Sequence, residues 1–207
     1  TLLMQTHVAE NQAEVQWVRE LFPQARSYLD VYAQLGLLTE RSVLAHGIWL
    51  DETDRALLRD SGSTIAHCPT SNLFLGSGLF DWRAAQEAGL RVTVASDVGG
   101  GTSLCLLRNL AAAYQIQALR GQRLTAWCSL HAATLGAAES VGWAAEVGRL
   151  EPGCMADIAV WDWAQGEAAA HRMSLTRSLH ERVFAWMTLG DERLLRQVWV
   201  AGVDRSN

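Results

Sequence analysis

Val43-Leu44-Ala45-His46, Thr64-Ile65-Ala66-His67 and Val92-Thr93-Val94-Ala95-Ser96-Asp97 decide how this chain folds. Each is a short β-rich run that ends on a residue able to bind a metal or move a proton, and each is followed by a segment with helical patterning. A fourth run lies upstream, where Leu2-Leu3-Met4 leads to His7, and residue 2 already reads as the inside of a buried strand. Strands alternating with helices predict βα units and a parallel sheet. In a (β/α)8 barrel the polar residues at the carboxyl ends of the strands form one active-site mouth. The expected fold class is therefore α/β, with residues 1–146 supplying four of the eight strands of a TIM-type barrel.

The intervening segments agree with this reading. Glu10 to Phe22 places Val15, Val18 and Phe22 on one helical face before Pro23 interrupts it, and Asp51 or Thr53 can cap a helix carrying Ala56, Leu57 and Leu58. Leu104 to Leu119 and Leu124 to Ala133 predict two further apolar helices. From Val147 the texture changes. Gly148 to Gly153 reads as a turn, Asp157 to Trp161 and Gln197 to Ala201 as strands, and Leu175 to Met187 as a helix between them. Two strands make a poor domain alone, so residues 147–207 are expected to contribute to a small β-sandwich whose other strands lie upstream of residue 1. A complete barrel needs about 250 residues, and this chain has 207 with no initiator methionine. It reads as a piece of something longer, and its open sheet is expected to associate with itself or with a complementary half.

Composition narrows the function. The chain is 49% hydrophobic and 19% charged, with a formal net charge of -5. It has no dense Lys/Arg tract, which argues against nucleic acid or an anionic membrane as partner and leaves a small molecule. No apolar run reaches the roughly 18 residues of a membrane span, and the first seven residues lack the form of a signal peptide. Cys68, Cys105, Cys128 and Cys154 are too widely spaced for a C-x-x-C site and read as reduced thiols, so a cytoplasmic setting is expected.

A lone histidine in apolar surroundings is more often a hydrogen-bonded core residue than a ligand. His7, His46 and Asp97 together weigh more, because His and Asp at strand ends are ligand types of a catalytic zinc. Glu10 follows His7 by three residues and can share its pocket without coordinating. His67 is expected to orient the Pro69 to Asn72 loop, and Val98 to Thr102 matches no phosphate-binding pattern, so its glycines are read as permitting unusual backbone angles. His131, His171 and His180 read as structural or solvated, and the nine tryptophans as packing residues.

Gln5-Thr6-His7-Val8-Ala9-Glu10-Asn11, Ala45-His46-Gly47, Ala66-His67-Cys68-Pro69-Thr70-Ser71-Asn72 and Ser96-Asp97-Val98-Gly99-Gly100-Gly101 resemble, in order, the motifs of guanine deaminases. These belong to the aminohydrolase branch of the zinc-dependent amidohydrolases. Tyr28 to Tyr32, Leu73 to Gly78 and Met187 to Glu192 extend the resemblance, and Gly148 to Asp157 resembles the superfamily's tail signature. The resemblance implies that His7 and Asp97 bind Zn2+, that His46 sits beside the metal's water, and that Glu10 shuttles protons. Glu10, His46 and Asp97 would be the catalytic residues, and His7, Glu10 and Asp97 would line the pocket of a purine substrate. The family's His-x-His pair has no match, since no two of the six histidines are separated by one residue. Two other readings stand beside this one: an aminohydrolase acting on another heterocycle, or a truncated module with no catalysis. A cytidine-deaminase type is disfavoured because its P-C-x-x-C motif is absent.

Overall fold

The computed structural model describes residues 2–206. Residues 1 and 207, the outermost of the two expected domains, lie outside the described residues. The first sheet has four parallel strands, β1 (Met4–Val8), β2 (Ser42–His46), β3 (Thr64–His67) and β4 (Arg91–Val94), in the order β1-β2-β3-β4. The register pairs His7 with Ala45, Ala45 with Ala66 and Ala66 with Thr93, so the carboxyl ends of all four strands lie together. The helices joining and following them are α1 (Gln12–Leu21), α2 (Tyr28–Gln34), α3 (Glu52–Ser61), α4 (Pro69–Phe74), α5 (Trp82–Glu87), α6 (Leu106–Leu119), α7 (Ala126–Ala133) and α8 (Leu135–Ser140).

The core forms where Val8, Leu44, Ile65 and Val94 of the strands meet Leu29, Leu58, Ala85 and Leu110 of the helices. All four residues of β3 are buried, as in a parallel strand covered on both faces. β1, at the edge of the sheet, differs. Leu2 and Leu3, just before it, are exposed rather than buried as their apolar character suggested, and among the described residues no strand pairs on that side of β1.

Capping residues set the helix boundaries, and they shift several expected ones inward. Asn11 accepts from the Glu14 amide while the Glu14 side chain accepts from the Asn11 amide, so α1 starts at Gln12 and leaves Glu10 outside the helix. Asp51, not Thr53, caps α3 and forms the same box with Asp54. The Pro69 to Asn72 stretch is helix α4 rather than a loop, with Pro69 in the first turn, where its missing N–H costs nothing.

The chain ends in a three-stranded antiparallel sheet of β5 (Ile158–Trp161), β6 (Leu195–Val200) and β7 (Val203–Asp204). β7 is a third strand, additional to the two expected. Between β5 and β6 lie α9 (Glu167–Ser174), α10 (Leu179–Leu189) and a short 3₁₀ turn at Glu192–Leu194. The single helix expected over Leu175 to Met187 is corrected by this pair. Ser178 caps α10 through the Glu181 amide, and the chain breaks between Leu175 and Ser178. α10 ties the two sheets together. Met187 enters the core beside Val94 and Leu110, while Trp186 packs edge-on against Trp161 and Trp163. Among the described residues, no helix is long and apolar enough to cross a membrane.

Candidate active site

His7 lies on β1 one residue before its end, and His46 closes β2. Asp97 follows β4 by three residues, on a segment that continues the ladder through the Ala95 amide to the His67 carbonyl. The three side chains meet. One ligand atom from each of His7, His46 and Asp97 lies within 4.8 Å of the others. The His7 and His46 rings stack with centroids 5.3 Å apart. His46 Nε2 is 3.7 Å from Asp97 Oδ2, and His7 Nε2 is 4.0 Å from Asp97 Oδ1. His46 is buried and the His7 side chain is 54% exposed, so the cluster opens to solvent on the His7 side.

Glu10 reaches the cluster from the loop between β1 and α1, with Oε2 3.6 Å from His46 Nε2. It approaches His46 rather than His7, because Ala9 takes a left-handed turn at φ 47° between β1 and the α1 cap. His46 (φ 70°) and Asp97 (φ 48°) are left-handed as well. Positive φ is unfavourable for residues with a side chain. Three such residues around one cluster mark backbone bent to aim functional groups.

Asn72 fixes the electronic character of the site. Its Oδ1 lies 2.8 Å from His46 Nδ1, and its amide nitrogen lies 3.5 Å from His67 Nδ1. An amide oxygen can only accept, so Nδ1 of His46 donates to it and Nε2 is turned towards Glu10 and Asp97. His46 Nε2 therefore sits between two carboxylates, one from the loop after β1 and one from the segment after β4. His7, His46 and Asp97, two imidazoles and a carboxylate with ligand atoms close together, are ligand types that suit zinc.

His67 stays out of the cluster. It is buried, stacked on Phe80 at 4.8 Å, edge-on to Trp82, and its Nε2 has no partner among the described residues. Burial, with His46 nearby, holds its imidazole down to about 3. Its expected role of orienting the following segment is carried by the Asn72 contact. Burial likewise pushes the neighbouring Cys68 thiol up to about 12, leaving it an inert core group. Asn72 and Ser77 are the residues the sequence reading did not single out. Both stood in stretches quoted above, but their partners are distant along the chain.

The glycines after Asp97 do two jobs. Gly99 takes φ 130°, which favours glycine, whereas Gly101 is required for space. A Cβ on Gly101 would run into the Ser96 carbonyl oxygen and lie 2.9 Å from that of Asp97. Gly101→Ala is therefore expected to displace the segment carrying Asp97 and to destabilise the fold by about 1–3 kcal/mol. A lowered urea unfolding midpoint with an unchanged m-value would show it.

A parallel βα sheet that gathers His and Asp at its carboxyl end defines an α/β class of protein with its site at the strand ends. The family follows from comparison: the amidohydrolase family profile matches residues 1–203, and the chain belongs to that family. It is 40% identical over 197 residues to guanine deaminase of Escherichia coli, a match covering 95% of this chain and 45% of that protein. The E. coli enzyme's structure superimposes with a TM-score of 0.94 at 38% identity, over 97% of this chain and 47% of that one. A C. acetobutylicum guanine deaminase with bound guanine gives 0.84 at 27% identity, covering 97% and 48%. A zinc-bound adenosine deaminase from Xanthomonas campestris gives 0.85 at 26%, covering 98% and 45%. The chain thus spans about half the length of the relatives it matches.

Proposed function

We propose that this chain supplies the proton-transfer half of a zinc-dependent guanine deaminase, which hydrolyses guanine to xanthine and ammonia. The observation that carries the reading is the meeting of Glu10, His46 and Asp97 beside His7, in a chain 40% identical to an enzyme of that name. In this reading residues 1–146 form half of a (β/α)8 barrel, and residues 147–207 add part of a small β-sandwich together with α10.

His7 and Asp97 would hold the zinc, joined by further ligands that are not among residues 1–207. The ion's contribution is a positive charge that makes water acidic near neutral pH. Asp97 accepts a proton from the attacking water. Glu10 gives a proton to N3 of the purine ring, so that oxygen adds at C2. As the C2–N bond breaks, the proton held by Asp97 passes to the departing amino group, which leaves as ammonia, and the Glu10 carboxylate takes the proton of the new C2 hydroxyl, restoring both groups. His46, held by Asn72 through Nδ1, keeps its Nε2 pointed at the reacting centre. His7, Glu10 and Asp97 line the pocket, and the substrate is a small purine.

Ammonia release from guanine, adenosine and a triazine, measured with the complete enzyme after zinc loading, tests the proposal. Turnover of guanine at least 100-fold above the other two is expected, and it should vanish after chelation and return with zinc. Preference for another ring would assign the site to a related aminohydrolase, and no turnover of any ring would favour a non-catalytic module.

A further inference from the structure

Ser77 touches the proposed machinery from a distance of 67 residues along the chain. Its hydroxyl donates to Glu10 Oε1 at 2.7 Å, while the other carboxylate oxygen, Oε2, is the one facing His46. The serine is itself immobilised. Its amide donates to the Asn72 carbonyl at 2.9 Å, and its carbonyl accepts from the Trp49 indole N–H at 3.0 Å. Gly76 and Gly78 on either side take φ 68° and 136°, and a Cβ on Gly78 would press within 3.0 Å of Ile48 and Trp49. Only 5% of Ser77 is exposed. A serine tied at both ends of its peptide unit and buried against a carboxylate is built to hold that carboxylate in place.

We propose that Ser77 is a positioning residue for Glu10. By donating to Oε1 it fixes the carboxyl plane and reserves Oε2 as the single oxygen that exchanges protons with the substrate. The inference rests on the guanine deaminase reading given above. It explains a feature that reading leaves open: Glu10 lies outside any helix, on a loop with a left-handed residue before it, so its own backbone does not set its rotamer. The hydroxyl also ties the Asn72 to Gly78 segment to Glu10, and the same segment supplies Asn72 to His46. One stretch of chain therefore orients both Glu10 and His46, whose Oε2 and Nε2 lie 3.6 Å apart.

The test is a double-mutant cycle in the complete zinc-loaded enzyme. Ser77→Ala keeps both backbone bonds, so it is expected to retain its unfolding midpoint and full zinc content. It should lower kcat for guanine by about 10- to 100-fold, the usual size for a hydrogen bond to a charged group, with KM within about threefold. Ser77→Cys, with a weaker donor of similar shape, should fall in between. In a Glu10→Gln background the same Ser77→Ala change should alter kcat by less than about twofold, because the group it positions no longer moves a proton. An active parent with an unaffected Ser77→Ala kcat, equal losses in both backgrounds, or loss of zinc from Ser77→Ala would each overturn the inference alone. A parent enzyme that releases no ammonia from guanine would overturn the underlying reading and this inference with it.

Discussion

Glu10→Gln is expected to slow guanine deamination by about 10²- to 10⁴-fold while leaving zinc content unchanged, the range typical of a positioned general acid–base group. Gln preserves the size of the side chain and can still accept from Ser77 through its amide oxygen. What it cannot do is bind and release a proton. His7→Ala, three residues away, should lose metal and activity together, because it removes an imidazole from the cluster with His46 and Asp97. Metal analysis and steady-state ammonia release on the two purified variants separate proton transfer from ligation. A Glu10→Gln enzyme with near-normal kcat would remove Glu10 from the mechanism, and a fully zinc-loaded, active His7→Ala enzyme would reassign the ligands.

His67 should make the fold acid-sensitive well before carboxylates titrate. Its imidazole falls from an ordinary 6.5 to about 3 in the folded protein, chiefly through burial. Between those values the unfolded chain holds a proton that the native state does not. Stability is thus complete above pH 6.5 and declines as pH falls through the window, by roughly 1.4 kcal/mol per unit. The loss between pH 6.5 and 5 is about 2 kcal/mol, and down to pH 3 on the order of 4 to 5 kcal/mol. Urea midpoints across this range would report it. His67→Leu, which keeps apolar contact with Phe80 and Trp82 but cannot be protonated, should flatten the slope between pH 6.5 and 5. Parallel slopes for parent and variant would show that the buried imidazole is not the source.

The four strands and the residues that end them were legible because two signals coincide there, a short apolar run and a polar residue that an apolar strand would otherwise exclude. Helix ends were less legible. Asn11 and Ser178 compete with apolar spacing that would carry α1 back to Glu10 and α10 back to Leu175, and the hydrogen bonds of the caps win. α9, with His171 and Arg172 after an alanine run, has no buried residue and so left no periodic signature. In the site, His7, His46 and Asp97 could be read from residue type and position. The bends at Ala9, His46 and Asp97 could not, since none is a glycine and nothing local announces a left-handed turn. Ser77 and Asn72 depend on contacts 67 and 26 positions away, which only the folded chain brings together.

The sheet order carries a consequence for the timing of assembly. Each of the four described strands pairs with the next one along the chain, Met4 with Ser42, Val43 with Thr64 and Thr64 with Arg91, so these three pairings need no distant partner. Ribosomes extend a chain by about 5–20 residues per second. His7 is therefore made roughly 5 to 18 seconds before Asp97, ninety positions later, joins it. During that interval β1, β2 and β3 can pair in turn as they emerge, and the last strand delivers its carboxylate to two histidines already in register.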